Sequence, residues 1–327
     1  MADIVLGMAT SHSPQLSTAA EDWPVHAERD QALRELWGVD GKTHSYGELL
    51  EANTQAMEKE LTVEKLRERN ATNQAGLAKL GQVMADVAPD VLIMVGDDQK
   101  EVFFEDNMPA LEVYWGETYL NKPHYTNPKT PLGLRLSAWA YGEEEREYPV
   151  QSDLALHMIR HLIDHEYDVG HSNRLKDGVS MPHAFGFIYR RILNGTVIPT
   201  VPVYINTYYP PNQPTPKRCF DFGATIRDAV ASWDSDARVG IIASGGLSHF
   251  VVNEELDRTT LNAIEDRDGE TLKTLPRNQL MSGNSEIRNW ISVAAASDHL
   301  KPTVLDYVPG YRTPAGTGCG MGFAYWT

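Results

Sequence analysis

Cysteine is nearly missing from this chain of 327 residues: Cys219 and Cys319 are the only two. Thiols so far apart in sequence offer neither a disulfide framework nor a CxxC metal knuckle. Basic residues are also scarce, with 29 Lys and Arg against 45 Asp and Glu, for a formal net charge of −16. Such a field disfavours nucleic acid and anionic membrane as partners, although a local Arg or Lys can still receive a small anion. No apolar run approaches the roughly 20 residues of a membrane span. The stretch Met1-Ala2-Asp3-Ile4-Val5 has no basic segment leading into a long apolar one, so a secretory signal is not expected and a cytoplasmic location is. Internal repeats, low-complexity tracts and a clear linker are absent too, which leads us to expect a single domain over residues 1–327.

What is present is an alternation of short apolar runs with amphipathic segments. Ile4–Thr10, Val91–Val95, Leu111–Trp115, Val197–Ile205 and Val239–Ala243 read as strands, with Val304–Val308 and Cys319–Trp326 closing the sheet. Helical periodicity runs from Tyr46 to about Val87, through Leu49, Leu50, Met57, Leu61, Leu66, Leu77, Leu80 and Met84, and returns in Asp153–His165, Phe220–Trp233 and Ser285–Ala296. Residues 16–50 read as irregular and 116–150 as a long loop region rich in Pro, Gly, Asn and Tyr. The pattern predicts an α/β sandwich with a largely parallel or mixed central sheet flanked by helices.

The most informative run is Ser244-Gly245-Gly246-Leu247-Ser248-His249, directly after the buried strand Val239–Ala243. Two glycines at a strand exit permit a tight turn and close backbone approach to a ligand. The histidine then stands beyond the carboxyl end of a strand, where open α/β sheets place ligands and catalytic groups. His12 occupies the same kind of position after the first strand. Glu286 opens a helix, where a carboxylate is favoured by the dipole alone, although no Ser or Thr precedes it at the spacing of a capping box. One or two histidines converging with a carboxylate, and open positions opposite, suit non-haem Fe(II) and dioxygen. Any oxygen chemistry needs such a redox centre here, because no thiol pair and no flavin or haem motif is present.

Ser244–His249, followed by Ser282-Gly283-Asn284-Ser285-Glu286-Ile287-Arg288-Asn289-Trp290, resembles the class III, LigB-type extradiol ring-cleavage dioxygenases. His12-Ser13-Pro14, Pro199–Asn206 and the glycine-rich Gly316–Trp326 add to the resemblance, which extends over nearly the whole chain. It implies Fe(II), O2 and a catechol-type substrate whose ring is cut beside its two hydroxyls. Carried over by position, His12 and Glu286 are iron ligands and His249 stands beside the substrate and O2 pocket. The family's second iron-binding histidine ends an Asn-Asp-His or Pro-Asp-His turn; here the turn reads Asp97-Asp98-Gln99. Gln99 thus occupies a ligand position, with His44 from the N-terminal insertion or a carboxylate, Asp98 or Glu101, as alternatives, or a metal site that is degraded. The family's Asp-His-Gly segment is also altered, to Lys176-Asp177-Gly178-Val179-Ser180-Met181-Pro182-His183, and His183 is the expected acid/base group.

The expected substrate is a carboxylated catechol of the protocatechuate, gallate or methylgallate type, with Arg218 or Arg312 as candidates to pair with the carboxylate. A homodimer is expected, with residues 16–85 or 116–150 supplying the cover that a small partner subunit gives elsewhere. His157, His161 and His165 share one helical stripe and read as a solvated polar face, His124 as a loop residue that could line a pocket, and Tyr208 and Tyr209 as walls of an aromatic site. Two other functions stay open: a metal-dependent hydrolase on the same scaffold, and a non-catalytic binding protein that keeps the pocket.

Overall fold

The computed structural model of the chain describes every residue except 125, 126, 128, 131–134, 136 and 137. In chain order it begins with β1 (Asp3–Thr10), α1 (Trp23–Ala32), β2 (Leu36–Trp37), β3 (Thr43–His44), α2 (Tyr46–Met57), α3 (Val63–Val87) and β4 (Val91–Gly96). There follow β5 (Leu111–Tyr114), β6 (Thr118–Asn121), β7 (Arg146–Pro149), α4 (Ser152–Asp164), β8 (Gly170–Ser172), α5 (His183–Phe187) and β9 (Thr200–Ile205). The last third holds α6 (Pro216–Ser232), β10 (Arg238–Ser244), β11 (His249–Val251), α7 (Glu254–Glu265), α8 (Gly269–Thr274), α9 (Ile287–Ala296), β12 (Pro302–Tyr311) and β13 (Thr317–Trp326). No helix among the described residues is long and apolar enough to cross a membrane.

Nine strands form one mixed sheet in the order β11-β13-β1-β10-β4-β9-β5-β8, with β12 on β13. The centre, β1-β10-β4-β9, is parallel. The flanking β13 and β5 run antiparallel to it. Side chains alternate across the sheet. Ile93 and Val95 join Ile241, Ala243, Val201 and Val203 in a core with α4, α6 and α9. Leu92, Met94, Leu6, Met8 and Ile242 face the opposite core, under α3 and α5. A strand buried on both faces has to be apolar throughout, which is why these runs stand out in the sequence.

The observed architecture is the expected α/β fold with a mixed central sheet. Two segments differ from their sequence reading. Residues 16–50 are not irregular: they contain α1 and the β2–β3 pair. The buried stripe of α1 is Trp23, His26, Ala27 and Asp30, and half of it is polar, so apolar periodicity does not reveal it. Within 116–150 the described residues include an antiparallel β6–β7 pair, and part of the expected loop lies outside the described residues.

The polar stripe of α1 is fixed by a buried ion pair. Arg312 Nε and Nη2 each donate to Asp30 at 2.7 Å, Thr317 Oγ1 adds a bond of 2.6 Å, and Arg312 Nη1 donates to Gln15 Oε1 at 2.9 Å. Breaking such a pair strands a buried charge and is costly. His26 lies beside it. Burial, with help from the Arg312 charge, pushes its pKa down to about 4. On the other side of the sheet, α6 and α9 pack so closely that a Cβ on Gly223 would lie 1.8 Å from the Ser292 carbonyl oxygen. Only glycine fits there.

Two predictions follow from this packing. His26 is held neutral when folded, so the unfolded chain binds the extra proton between pH 6.5 and about 4. Its contribution is therefore complete above pH 6.5 and is lost as pH falls through that window, about 2 kcal/mol between pH 8 and pH 5. In His26→Gln the acid loss measured by urea unfolding should shrink by about that amount; an unchanged loss contradicts the assignment. Gly223→Ala should lower unfolding free energy by about 1–3 kcal/mol through overpacking, read as a reduced urea midpoint; an unchanged midpoint contradicts the close approach.

Candidate functional site

The carboxyl ends of β1, β10 and β4 lie side by side. Thr10 pairs with Ser244 and Ala243 with Val95, so His12, the Ser244–His249 turn and Asp97 leave the sheet together. Glu286 arrives separately, at the end of a 3-10 turn, Ser282–Glu286, that leads into α9. Helix α9 is tied to the strand exit: Asn289 Nδ2 donates to the Ser244 carbonyl and Trp290 Nε1 to the Gly245 carbonyl, each at 3.0 Å. Buried Arg288 braces the turn through the carbonyls of Pro214 (2.7 Å), Leu280 (2.9 Å) and Ser285 (3.2 Å).

Fully buried Glu286 is the meeting point. Its Oε2 lies 3.3 Å from His12 Nε2 and accepts the Gly246 N–H. Its Oε1 accepts from the Tyr208 hydroxyl at 2.7 Å and from Gln99 Nε2 at 3.3 Å, and stands 3.1 Å from His249 Nε2. Burial opposes its charge, but His249 and His12 together hold its carboxyl well below the usual range. Burial lowers the pKa of His12 despite Glu286. Burial also works against a charged His249, yet Glu286 outweighs it and the ring is shifted upward.

The turn carrying His249 is held from below by Asp257, which accepts Ser248 N–H (2.7 Å), Ser248 Oγ–H (2.6 Å) and Tyr307 O–H (2.8 Å). Asn284 Oδ1 accepts the His249 N–H at 2.7 Å. Gly283 is needed for this fit, because a Cβ there would lie 1.8 Å from His249 Cδ2. His249 Nδ1 is 3.0 Å from the Leu247 carbonyl, which as an acceptor assigns the proton to Nδ1. Nε2 faces the Tyr208 oxygen at 3.0 Å and Glu286 Oε1 at 3.1 Å, and because Tyr208 already gives its proton to Glu286, Nε2 meets acceptors there and is a donor too.

His183, at the start of α5, stands edge-on to His12 with ring centroids 4.7 Å apart. Glu101 orients it: His183 Nδ1 lies 2.7 Å from Oε2, and the His183 N–H donates to Oε1 at 3.1 Å. Tyr141 also donates to that carboxylate. Burial disfavours the imidazolium, but Glu101 prevails and raises His183 to about 9. Glu101 in turn is drawn down to about 2 against its own burial, chiefly by the His183 charge.

Among the described residues one group can hold a metal ion: His12, Asp97 and Glu286, all buried, with one ligand atom of each within 4.8 Å of the others. Adjacent ligands of a first-row ion, at ~2.1 Å from it, stand about 3 Å apart, so a small contraction closes the set. Asp97 Oδ1 is 3.3 Å from Asn289 Nδ2, while Oδ2 is buried with no partner. A buried carboxylate oxygen without a donor is costly, and a cation at this point satisfies it. Burial and the nearby Glu286 charge both push the Asp97 pKa well upward. One imidazole and two carboxylates form a donor set that fits a divalent ion, with one histidine fewer than the two-histidine, one-carboxylate triad of non-haem Fe(II).

His12, His249, His183, Glu286 and Gln99 are thus neighbours in space. Gln99 meets Glu286 through its amide. His44 lies elsewhere, on β3, bonded to Asp40 at 2.9 Å, and is not part of the cluster. Asp98 caps its own loop, accepting the N–H groups of Glu101, Val102 and Phe103. The expected carboxylate-binding arginines are engaged otherwise: Arg312 is committed to Asp30, while Arg218 lies over the Tyr167 ring at 4.0 Å and donates to the Glu166 carbonyl at 3.3 Å. His157 and His161 turn toward Ser232 of α6, His161 stacks on His165, and His124 stacks on Tyr141. Sequence reasoning missed Asp97 as a ligand candidate and Asp257 as the anchor of the turn. The Asp97-Asp98 pair at a strand end was the available signal; for Asp257, an ordinary acidic position in a charged helix, there was none.

Residues 60–297 match the family model described as the catalytic LigB subunit of aromatic ring-opening dioxygenase. The span includes Asp97, His183, His249 and Glu286 but not His12, so it is shorter than the resemblance suggested. A protein of Rhodococcus sp named 2,3-dihydroxyphenylpropionate/2,3-dihydroxicinnamic acid 1,2-dioxygenase is 28% identical over 51% of this chain and 45% of its own. Its namesake from Comamonas testosteroni is 23% identical over 63% of this chain and 54% of its own. That from Azotobacter vinelandii is 29% identical over 50% and 51%. The chain therefore spans about half the length of the curated relatives it matches. With a family model matched over most of its length and the strand-end cluster in place, the chain belongs to the LigB family of aromatic ring-opening dioxygenases.

Proposed function

We propose that this chain is a non-haem Fe(II)-dependent extradiol dioxygenase that opens the ring of a catechol-type substrate bearing a carboxylate, using O2. The observation that carries the reading is the buried His12–Asp97–Glu286 cluster with its orphaned Asp97 oxygen, flanked by two histidines that have carboxylate partners. The carboxylate is supported by the relatives, whose names specify phenylpropionate and cinnamic acid substrates.

His12, Asp97 and Glu286 hold the metal, and Gln99 steadies Glu286 from the side. A ferrous ion bound there supplies the Lewis-acid and redox chemistry that joins a catechol to O2. The protein's own groups manage protons and charge. The Leu247 carbonyl holds one ring proton of His249 on Nδ1, so that with the Glu286 charge engaged by a metal, Nε2 would take a proton from a substrate hydroxyl. His183, held protonated by Glu101 near neutral pH, stabilises negative charge as it develops on oxygen and returns a proton as the ring opens. Tyr208 fixes Glu286 and His249 relative to each other with one hydroxyl.

Anaerobically Fe(II)-loaded protein should consume O2 and release a yellow ring-opened product with protocatechuate, gallate, their methyl ethers or 2,3-dihydroxyphenylpropionate. Bound iron with no O2 uptake across that panel contradicts the reading. His12→Ala, Asp97→Ala and Glu286→Ala should each abolish iron retention, whereas Gln99→Ala and His44→Ala should keep it; iron lost from Gln99→Ala but retained in Asp97→Ala would reassign the third ligand. His183→Ala and His249→Ala should keep iron and lower turnover by about 10²–10⁴-fold, the usual scale of acid–base catalysis; unchanged turnover in both contradicts their roles.

A further inference from the structure

A strongly acidic protein repels an anionic substrate, so a carboxylated catechol needs a cation at the site that is not already neutralised. Of the candidates, Arg312 is locked on Asp30, Lys100 is paired with Glu105 and Arg218 is spread over Tyr167. Arg29 differs. It is an exposed residue of α1, and among the described residues no carboxylate pairs with it. Its guanidinium carbon lies 5.5 Å from the centroid of Phe250, and the Phe250 ring stands edge-on to His249 at 5.5 Å. Arg29 is thus one aromatic ring removed from a histidine that contacts Glu286.

The helix that carries Arg29 is a firm platform. Its neighbour Asp30 is held by Arg312 and Thr317, and Trp23 is buried against Ala20 and Leu66, with its indole N–H on the Gln15 carbonyl at 3.1 Å. We propose that Arg29 receives the carboxylate of the substrate's ring substituent, so that this N-terminal segment selects carboxylated over uncharged catechols. The inference rests on the dioxygenase reading for the substrate's ring but not for the carboxylate's partner. Arg29, like His12, lies outside residues 60–297, the span that matches the family model.

The test is equilibrium binding to the Fe(II)-loaded protein without O2, using protocatechuate and 2,3-dihydroxyphenylpropionate, each against its uncharged amide. Wild type should bind at least one acid about tenfold or more tighter than its amide, a preference of the size a charge-assisted contact gives. In Arg29→Gln the acid-over-amide ratio should collapse toward one, and Arg29→Lys should keep part of it. Raising the salt should erode the preference in wild type and leave the Gln variant unaffected, because an exposed charge contact is screened. No acid preference in wild type, or a ratio unchanged in Arg29→Gln, overturns the proposal. Because binding is read without turnover, a wild-type preference that is lost in Arg29→Gln, in a protein that consumes no O2, sinks the dioxygenase reading and keeps Arg29, while O2 uptake with a ratio unchanged in Arg29→Gln does the reverse.

Discussion

A single buried carboxylate organises this molecule's site. Glu286 has no solvent exposure, and its two oxygens meet His12, His249, Tyr208, Gln99 and the Gly246 N–H. A buried charge is tolerable only when it is compensated from every side. The groups that compensate it come from β1, the turns after β4 and β10, and the segment after β9, so the parallel centre of the sheet must be in register before Glu286 can be accommodated. The packing of α9 on α6, with Gly223 against the Ser292 carbonyl, delivers it to that place. Fold and site are therefore one energetic problem.

The same logic sorts the titrating groups. Each histidine near the centre has a distinct electrostatic surrounding. His12 is shifted down by burial, His249 up by Glu286, and His183 up to about 9 by Glu101. Three neighbouring imidazoles are thus given different protonation preferences by burial and by their carboxylate partners. That divergence suits a division into ligand, base and charge stabiliser. Asp97 is the outlier, a buried carboxylate beside another with one oxygen unpartnered. Two carboxylates so placed cannot both stay ionised unless a cation lies between them.

Much of this was legible in the sequence, for physical reasons. Strands buried on both faces declare themselves as continuous apolar runs, and residues just past their carboxyl ends are placed by topology, so His12 and His249 could be singled out. Glu286 was found through the motif around it, not through its position in a helix's first turn, where a carboxylate is unremarkable. Helix α1 was invisible because its buried face uses His26 and Asp30, whose burial depends on Arg312 nearly three hundred residues away. Arg312 shows the same limit from the other side: its partner cannot be read locally, so it looked available for a substrate. Asp97 is not marked as a ligand by its own turn, where the family keeps a histidine at the place of Gln99; its buried, half-partnered state depends on Asn289, far away in sequence.

The most direct test of the central claim is an anaerobic crystal structure of the Fe(II)-loaded protein. The account predicts a single iron at the carboxyl ends of β1 and β4, bound by His12 Nε2 and by carboxylate oxygens of Asp97 and Glu286, with the Gln99 amide on Glu286 and off the metal. Iron bound through Gln99 or His44 with Asp97 uncoordinated, or no iron in this pocket, would contradict it.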